Sequence, residues 1–233
     1  MGRLRIAIAV GVVGGVLLCA GGAARASIIV DHQPYHFGGG ASDTEYLNQF
    51  GAPRWQRIAD DFMLSEPATI ERVGFWGFYD QNNPGLSERY RVRFYGARAG
   101  DGLPDDSNIL FEESFLNPQR TETGELIILS FARIEYFYEV DLSVPVALAA
   151  NVPYWLEIVQ LGNVRTAFWW EFSRADANGQ AFINASVGDW SHTTSITSDS
   201  AYQLYGIPEP TTLTLVIVGV LVLGLRPGRK EAR

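Results

Sequence analysis

Histidine is the side chain most often used to transfer protons near neutral pH and to bind transition metals. The sequence contains three histidines, and two of them, His32 and His36, are four residues apart. That spacing would place both on one face of a helix, but Pro34 lies between them and disfavours a regular helix. We therefore expect both side chains in an exposed loop near the N-terminus, and a metal site formed by the pair is the alternative.

The third histidine, His192, follows Ser191 and could orient a serine nucleophile. A nucleophile elbow would need the pattern Gly-x-Ser-x-Gly, and the nearest match, residues 184–188, has Asn184 in place of the first glycine. The segment around His192 is rich in serine and threonine, which is typical of a loop. The sequence therefore predicts no catalytic residue.

Three pairs of adjacent carboxylates lie at residues 60–61, 105–106 and 112–113. Adjacent residues of a β-strand point to opposite faces, so such a pair cannot form the two-carboxylate site of a glycoside hydrolase. Asp61 lies beside the apolar residues Phe62 and Leu64, and we expect it to be buried and to need a partner. Arg72 or a structural calcium ion would serve. Calcium at Asp61 is the only cofactor that the sequence suggests, and a hydrogen-bonded turn is the alternative.

Tryptophan side chains could bind sugars, because sugar rings stack on exposed aromatic faces. Trp169 and Trp170 are neighbours in a strand-like segment, so if one indole faces the core, the other lies at the surface. Trp76, Trp169 and Trp170 are therefore candidates for stacking on a sugar ring without catalysis. The alternative is that all of them are buried between sheets or under loops.

The elements that must position these residues are β-strands. Residues 90–94 and 156–158 alternate apolar and charged side chains with a period of two, and no segment keeps a helical apolar stripe for three turns. Turn signals such as residues 81–85 and 99–106 separate the strand-like segments. We predict an all-β fold, an antiparallel β-sandwich of the jelly-roll type over residues 27–206, flanked by a signal peptide and a single C-terminal membrane helix.

Charge and cysteine content exclude several functions. The formal net charge is −8, which argues against a nucleic acid or an anionic lipid surface as the partner. The single cysteine, Cys19, lies in an apolar N-terminal segment. If that segment is removed, the mature domain has no disulfide, no thiol nucleophile and no thiolate metal ligand.

The N-terminus has the features of a secretory signal peptide. Arg3 and Arg5 precede an uncharged segment, and Ala24 and Ala26 are small residues at the two positions that signal peptidase requires. We predict a signal peptide over residues 1–26 with cleavage after Ala26. A retained membrane helix and lipid attachment at Cys19 are the alternatives.

The C-terminal residues 207–233 combine three features. They contain the motif Pro208, Glu209 and Pro210, then an apolar segment at 211–225, and then the basic residues Arg226, Arg229, Lys230 and Arg233. The apolar segment is somewhat shorter than the roughly 20 residues of a full membrane span. By the positive-inside rule the basic tail stays in the cytoplasm and the domain lies outside. The two prolines predict that the motif is extended and held away from the domain.

A proline-flanked glutamate followed by a membrane helix and a basic tail resembles the PEP-CTERM sorting signal of Gram-negative bacteria. The resemblance implies that the membrane protease exosortase recognises and processes the motif, while signal peptidase cleaves the N-terminus. It also implies export to the cell envelope or to an extracellular polysaccharide matrix of a biofilm. The C-terminal helix would anchor the protein transiently in the inner membrane, with the C-terminus in the cytoplasm.

The rest of the chain, roughly residues 55–206, is similar to a recurrent domain that precedes PEP-CTERM signals. The similarity is carried by residues 59–62, 68–70, 73–77, 93–95, 101–104, 153–156 and 202–206. No activity is attached to that domain, so the resemblance implies a shape and no chemistry. We predict a non-catalytic exported envelope or matrix protein, with exopolysaccharide as a candidate ligand. A secreted glycoside or ester hydrolase with a site not recognisable from the sequence is the alternative.

Overall fold

The computed structural model describes residues 26–47, 53–80, 87–128, 132–162, 166–175, 180–184, 188–192 and 199–209. Several predicted features lie outside the described residues and stay predictions, namely Ala24, Pro210, the membrane helix and the basic residues Arg226, Arg229, Lys230 and Arg233. Within the described ranges, no helix is long and apolar enough to cross a membrane.

The strands in chain order are β1 (Ser27–His32), β2 (Pro34–Ala41), β3 (Asp43–Leu47), β4 (Pro53–Met63), β5 (Ala68–Tyr79), β6 (Arg89–Ala97), β7 (Pro104–Leu116), β8 (Gln119–Ile128), β9 (Ala132–Leu148), β10 (Pro153–Gln160), β11 (Phe168–Ser173), β12 (Ala181–Asn184), β13 (Ser191–His192), β14 (Asp199–Ser200) and β15 (Tyr202–Pro208). All regular secondary structure in the described part of the chain is β-strand. The prediction of an all-β fold is confirmed.

The strands form one sheet of eight and one of seven. In the first sheet, β9 and then β8 lie on one side of β5, and β11 and β15 lie along its other side. β2 pairs with β11, β1 pairs with β15, and β14 pairs with β11. The second sheet has the order β13, β12, β4, β10, β6 and β7, with β3 beside β4 and β10. Every pairing between these strands is antiparallel except the short contact of β3 with β10.

Alternation along the strands places one face of each sheet in a common core. In β6, Tyr90, Val92 and Phe94 are fully buried, while Arg91 and Arg93 face outward. The core is rich in aromatic rings from both sheets. Phe75 stacks on Tyr138, with the ring centroids 4.9 Å apart, and Phe75 meets Tyr90 of the other sheet edge-on at 5.4 Å. The two sheets therefore pack face to face in a sandwich-like arrangement.

Strand β2 carries an irregularity. Gly39 pairs with Glu171 of β11, and the next pairing joins Pro34 to Ser173. The four residues 35–38 therefore lie opposite the single residue Phe172, and we call them the β2 bulge. His36 and Gly38 have φ angles of 59° and 115°, which turn the chain out of the regular strand. The bulge extends over the outer face of the first sheet, because His36 contacts a residue of β9 across the intervening strands β11 and β5.

Candidate functional site

Three potential metal ligands meet beneath the β2 bulge. His36 Nδ1 lies 2.6 Å from Glu135 Oε2 of β9 and 3.6 Å from Glu171 Oε1 of β11. The backbone N–H of His36 also donates a hydrogen bond to Glu171 Oε1 at 2.8 Å. One ligand atom from each of the three residues lies within 4.8 Å of the others. A single ion could therefore contact all three side chains.

The strands place these side chains together through simple alternation. The neighbours Tyr136 and Trp170 point into the core, so Glu135 and Glu171 point to the outer face of the first sheet. Close approach of β2 requires Gly39, because a Cβ atom there would lie 2.3 Å from the carbonyl oxygen of Trp170. The glycine lets β2 pair with β11, and the bulge then lies over the two carboxyl groups.

Burial controls the charge of this site. Glu135 and Glu171 are 1% and 0% exposed, whereas the His36 side chain is 43% exposed. Burial, together with the charge of Glu135, raises the pKa of Glu171 to about 10. Among the described residues, Glu171 Oε2 has no hydrogen-bond partner. The cluster is thus suited to share a proton or to bind a cation. It does not favour glycoside hydrolysis, because a sugar cannot reach between two buried carboxyl groups.

The expectation that His32 and His36 lie in an exposed loop is wrong for His32, whereas His36 is exposed as expected but lies in a strand. His32 belongs to β1, is 6% exposed and packs its ring on Tyr202 with centroids 4.5 Å apart. His36 belongs to β2, which begins at Pro34. A proline disfavours a helix but is tolerated at the first residue of a strand, so β2 can begin at Pro34. His192 is exposed in β13, on the other sheet.

The buried aspartate of the adjacent pair is Asp60, and Asp61 is only half-buried. Asp61 was expected to be buried, but the buried residue is its neighbour Asp60, because residues 58, 60 and 62 share the core face of β4. Arg72 is also not its partner, since Arg72 Nε donates to Asp141 Oδ1 at 2.6 Å in the first sheet. Calcium at Asp61 stays a prediction.

Asp60 is instead bound by residues of the first sheet. The backbone N–H of Ser200 donates to Asp60 Oδ2 at 2.9 Å, and His32 Nδ1 lies 3.5 Å from the same oxygen. Burial raises the pKa of Asp60 to about 7. This group bridges the two sheets inside the molecule and is not accessible to a large ligand.

The tryptophan pair divides between the two faces as expected. Trp170 is fully buried and donates from Nε1 to the carbonyl oxygen of Ala201 at 2.9 Å, whereas Trp169 is half-buried on the outer face. Trp169 stacks on Phe78, with the ring planes 13° apart. Trp76 is 8% exposed. Sugar stacking on Trp76 and Trp170 is therefore wrong, because their rings are covered by protein, and Trp169 is the remaining candidate of the three.

More exposed aromatic rings occur on the β2 bulge, and sequence reasoning missed them. Phe37 is 63% exposed and Tyr35 is 38% exposed, with their ring centroids 6.1 Å apart. The guanidinium carbon of Arg174 lies 3.4 Å from the centroid of the Tyr35 ring. We call Tyr35 and Phe37 the aromatic patch. The available signal was the three glycines at 38–40, because glycine inside a strand pattern often marks a bulge.

Glu135 and Glu171 were also missed, although each left a signal. Each glutamate stands between large apolar or aromatic residues in a strand-like segment, Glu135 in the sequence IEY and Glu171 in the sequence WEF. A charged residue in such a setting points to the other face of the strand, or needs a partner if it is buried. What the sequence did not contain was the pairing that brings β9, β11 and β2 together.

The first two residues of the predicted sorting motif lie against the domain. Pro208 is the last residue of β15 and pairs with Ala68, and the N–H of Glu209 donates to the carbonyl oxygen of Pro67 at 2.9 Å. The expected separation from the domain is therefore wrong for Pro208 and Glu209. β1 begins at Ser27 beside Gly206, so among the described residues no strand on that side requires the N–H that Pro208 lacks. Both residues are exposed.

Two comparisons with known proteins were informative only in being negative. No model of a known protein family matches this sequence. A search among curated proteins gives no significant match to the chain.

Proposed function

We propose that this protein is an exported, non-catalytic component of the cell envelope or extracellular matrix, sorted by a PEP-CTERM/exosortase route. The observation that carries this proposal is the order of features in residues 207–233, a Pro-Glu-Pro motif followed by an apolar segment and a basic tail. The signal-peptide features at residues 1–26 predict the same topology as the basic tail, with the domain on the outer side of the membrane.

The position of the motif at the domain surface supports this proposal. Glu209 is exposed, and its backbone is held to the domain by one hydrogen bond to Pro67. A single hydrogen bond of this kind contributes about 1 kcal/mol, so a protease can lift the segment at little cost. Ser27 pairs with Gly206 at one edge of the first sheet. This pairing supports the proposal, because the predicted cleavage after Ala26 and the predicted motif at Pro208 would then lie close together.

Within this proposal, the domain is a jelly roll. β2, β11, β5 and β9 are neighbours in the first sheet, and β4, β10, β6 and β7 are neighbours in the second. Taken in chain order, these eight strands alternate between the two sheets, except that β6 and β7 lie in the same sheet as a hairpin. That strand order matches the double Greek key of jelly-roll domains and supports the assignment.

We propose extracellular polysaccharide as the ligand and the aromatic patch as its main contact. Phe37 leaves 63% of its surface exposed, and apolar rings at a surface attract the C–H faces of sugars. Trp169 is a second, less exposed contact on the same face of the sheet. The acidic domain makes neutral or cationic polysaccharides better ligands than anionic ones.

Sorting is tested by deleting residues 211–233 and by changing Glu209 to Gln in a host that contains exosortase. We expect the unaltered chain to be retained in the envelope, then shortened and released. The deletion variant should not be retained in the envelope. The Glu209→Gln variant should be processed less than the unaltered chain. Cell fractionation followed by mass spectrometry of the C-terminus gives the result. Unchanged envelope retention of the deletion variant would contradict the proposed route.

Ligand binding is tested with the exported protein and isolated polysaccharides, using tryptophan fluorescence and sedimentation. Phe37→Ala should abolish binding, whereas Ile128→Ala, which changes a residue that is 68% exposed in β8, should leave it intact. Equal loss in both variants would show that exposed apolar area alone, and not the aromatic patch, is responsible. Binding that survives Phe37→Ala and Trp169→Ala together would contradict a stacking site on this face.

A further inference from the structure

We propose that His36, Glu135 and Glu171 bind a divalent transition metal ion, and that Zn²⁺ is the ion that fits this donor set best. The site does not depend on the sorting route or on polysaccharide binding. Its ligands come from β2, β9 and β11, and they meet on the outer face of the first sheet.

The distances between the ligand atoms suit one small ion. Zinc binds imidazole nitrogen and carboxylate oxygen at about 2.0–2.2 Å, so two ligands in a tetrahedral site lie roughly 3.4 Å apart. His36 Nδ1 is 3.6 Å from Glu171 Oε1, close to that separation. His36 Nδ1 lies 2.6 Å from Glu135 Oε2, which is shorter than the separation of two zinc ligands. The half-exposed ring of His36 would therefore shift outward by about 1 Å when the ion binds.

Charge balance also favours a cation between the carboxyl groups. Glu135 and Glu171 are almost completely buried, and two neighbouring carboxylates cannot both stay ionised in such a setting without compensation. Among the described residues, Glu171 Oε2 has no hydrogen-bond partner, and leaving a buried acceptor unpaired is unfavourable. A divalent ion would neutralise both carboxylates and occupy that free acceptor.

The donor set distinguishes between metals. Calcium prefers six to eight oxygen ligands, whereas imidazole nitrogen is a good ligand for zinc and related transition metals. The site offers one nitrogen and the carboxyl groups of two glutamates. Because the His36 side chain is 43% exposed, solvent can reach the remaining coordination position. A bound ion would tie the β2 bulge to β9 and β11.

The test uses the purified full chain, stripped of metal with a chelator and titrated with ZnCl₂ by calorimetry and native mass spectrometry. We expect one Zn²⁺ per chain. Glu171→Gln preserves the shape of the side chain and His36→Ala changes a partly exposed one, and each should weaken binding by at least about tenfold. The matched control is His192→Ala, which removes an exposed histidine from the second sheet and should leave the affinity unchanged.

Near-ultraviolet circular dichroism of each variant shows whether the fold is intact, and either of the two variants is sufficient if the other does not fold. The proposal is overturned if Zn²⁺ does not bind saturably at one equivalent, if both variants bind as well as the unaltered chain, or if His192→Ala weakens binding equally. Binding of Ca²⁺ as tight as that of Zn²⁺ would overturn the assignment to a transition metal.

Discussion

His32 Nδ1 lies 3.5 Å from Asp60 Oδ2, and both side chains are buried where β1 of the first sheet faces β4 of the second. The N–H of Ser200 donates to the same oxygen at 2.9 Å. A carboxyl group from one sheet is thus held by two residues of the other. Because it is surrounded by protein, its protonation is linked to the stability of the whole sandwich.

The first prediction concerns pH. Burial raises the pKa of Asp43 and Asp60 to about 7, and that of Glu171 to about 10. In the folded state these groups keep protons that the unfolded chain has already lost above about pH 4. Their contribution to stability is therefore complete below about pH 4 and decreases as the pH rises through 7, with a further decrease towards 10 from Glu171.

Urea unfolding in metal-free buffer should consequently give a larger free energy of unfolding at about pH 5 than at about pH 8, by an amount on the order of 1–4 kcal/mol. Asp60→Asn mimics the protonated side chain and should reduce this difference. Stability that is constant or increases over the same interval would contradict the linkage.

The second prediction concerns a buried carboxylate on the outer face of the second sheet. Glu157 is 0% exposed and accepts hydrogen bonds from Arg57 Nε at 2.8 Å, from the Tyr95 hydroxyl at 2.7 Å and from Arg91 at 3.0 Å. Glu157→Ala would remove the buried carboxylate from both guanidinium groups, leaving Arg57 only the more distant Asp106 at 3.5 Å, and should cost about 3–5 kcal/mol. Denaturant unfolding measures this change.

The control for Glu157 is an ion pair of similar type at the surface. Glu112 is exposed and pairs with Arg93 on the neighbouring strand. Glu112→Ala should change the free energy of unfolding by at most about 1 kcal/mol. Equal effects of the two substitutions would show that the burial of Glu157 does not make its interactions stronger.

The third prediction compares two phenylalanines in opposite environments. Phe168 is fully buried and contacts the rings of Phe75, Tyr79 and Tyr90 edge-on. Phe168→Ala should lower the free energy of unfolding by about 3–5 kcal/mol. Phe37→Ala should change it by no more than about 0.5 kcal/mol, because that ring is already exposed. Thermal unfolding that responds equally to both would be inconsistent with the described core.

The fourth prediction uses two adjacent glycines of β2. A Cβ atom at Gly39 would lie 2.3 Å from the backbone oxygen of Trp170, whereas one at Gly40 would meet the end of the Ile58 side chain. Backbone cannot move aside as a side chain can, so Gly39→Ala should displace β2 and cost about 1–3 kcal/mol. Gly40→Ala should cost less.

Chemical denaturation ranks the two glycine variants. If the proposed metal site is correct, Gly39→Ala should also weaken zinc binding, since the β2 bulge carries His36. Greater destabilisation by Gly40→Ala than by Gly39→Ala would contradict the close contact of β2 with β11.

Local alternation predicted the all-β fold and the strands around residues 90–94 and 156–158, but it did not predict β1 and β2, where a loop was expected. The pattern of β6 placed Tyr90, Val92 and Phe94 inside, and the structure agrees. The same rule failed at Asp60 and Asp61, because the wrong one of the two alternating sets of residues was assigned to the core. Alternation alone does not show which set faces the core.

Long-range contacts account for what the sequence did not reveal. β10 is buried on both faces, because Leu103 and Trp190, distant in sequence, cover the outer side of Trp155. The proposed ligands His36, Glu135 and Glu171 lie on three strands. His36 is 99 residues from Glu135 and 135 residues from Glu171 in the sequence. Such sites depend on strand pairing and on an irregular bulge, and neither has a period in the sequence.

The place of β15 has a consequence for the order in which the molecule can assemble. β15 is the last strand of the described chain, yet it lies between β1, the first strand, and β5. A chain that emerges N-terminus first cannot give β1 its partner until almost all of the domain has followed. Closure of the first sheet is therefore a late, high-contact-order event. Pro208 ends the same strand, so the segment bearing Glu209 takes its place at the surface only when that closing step occurs.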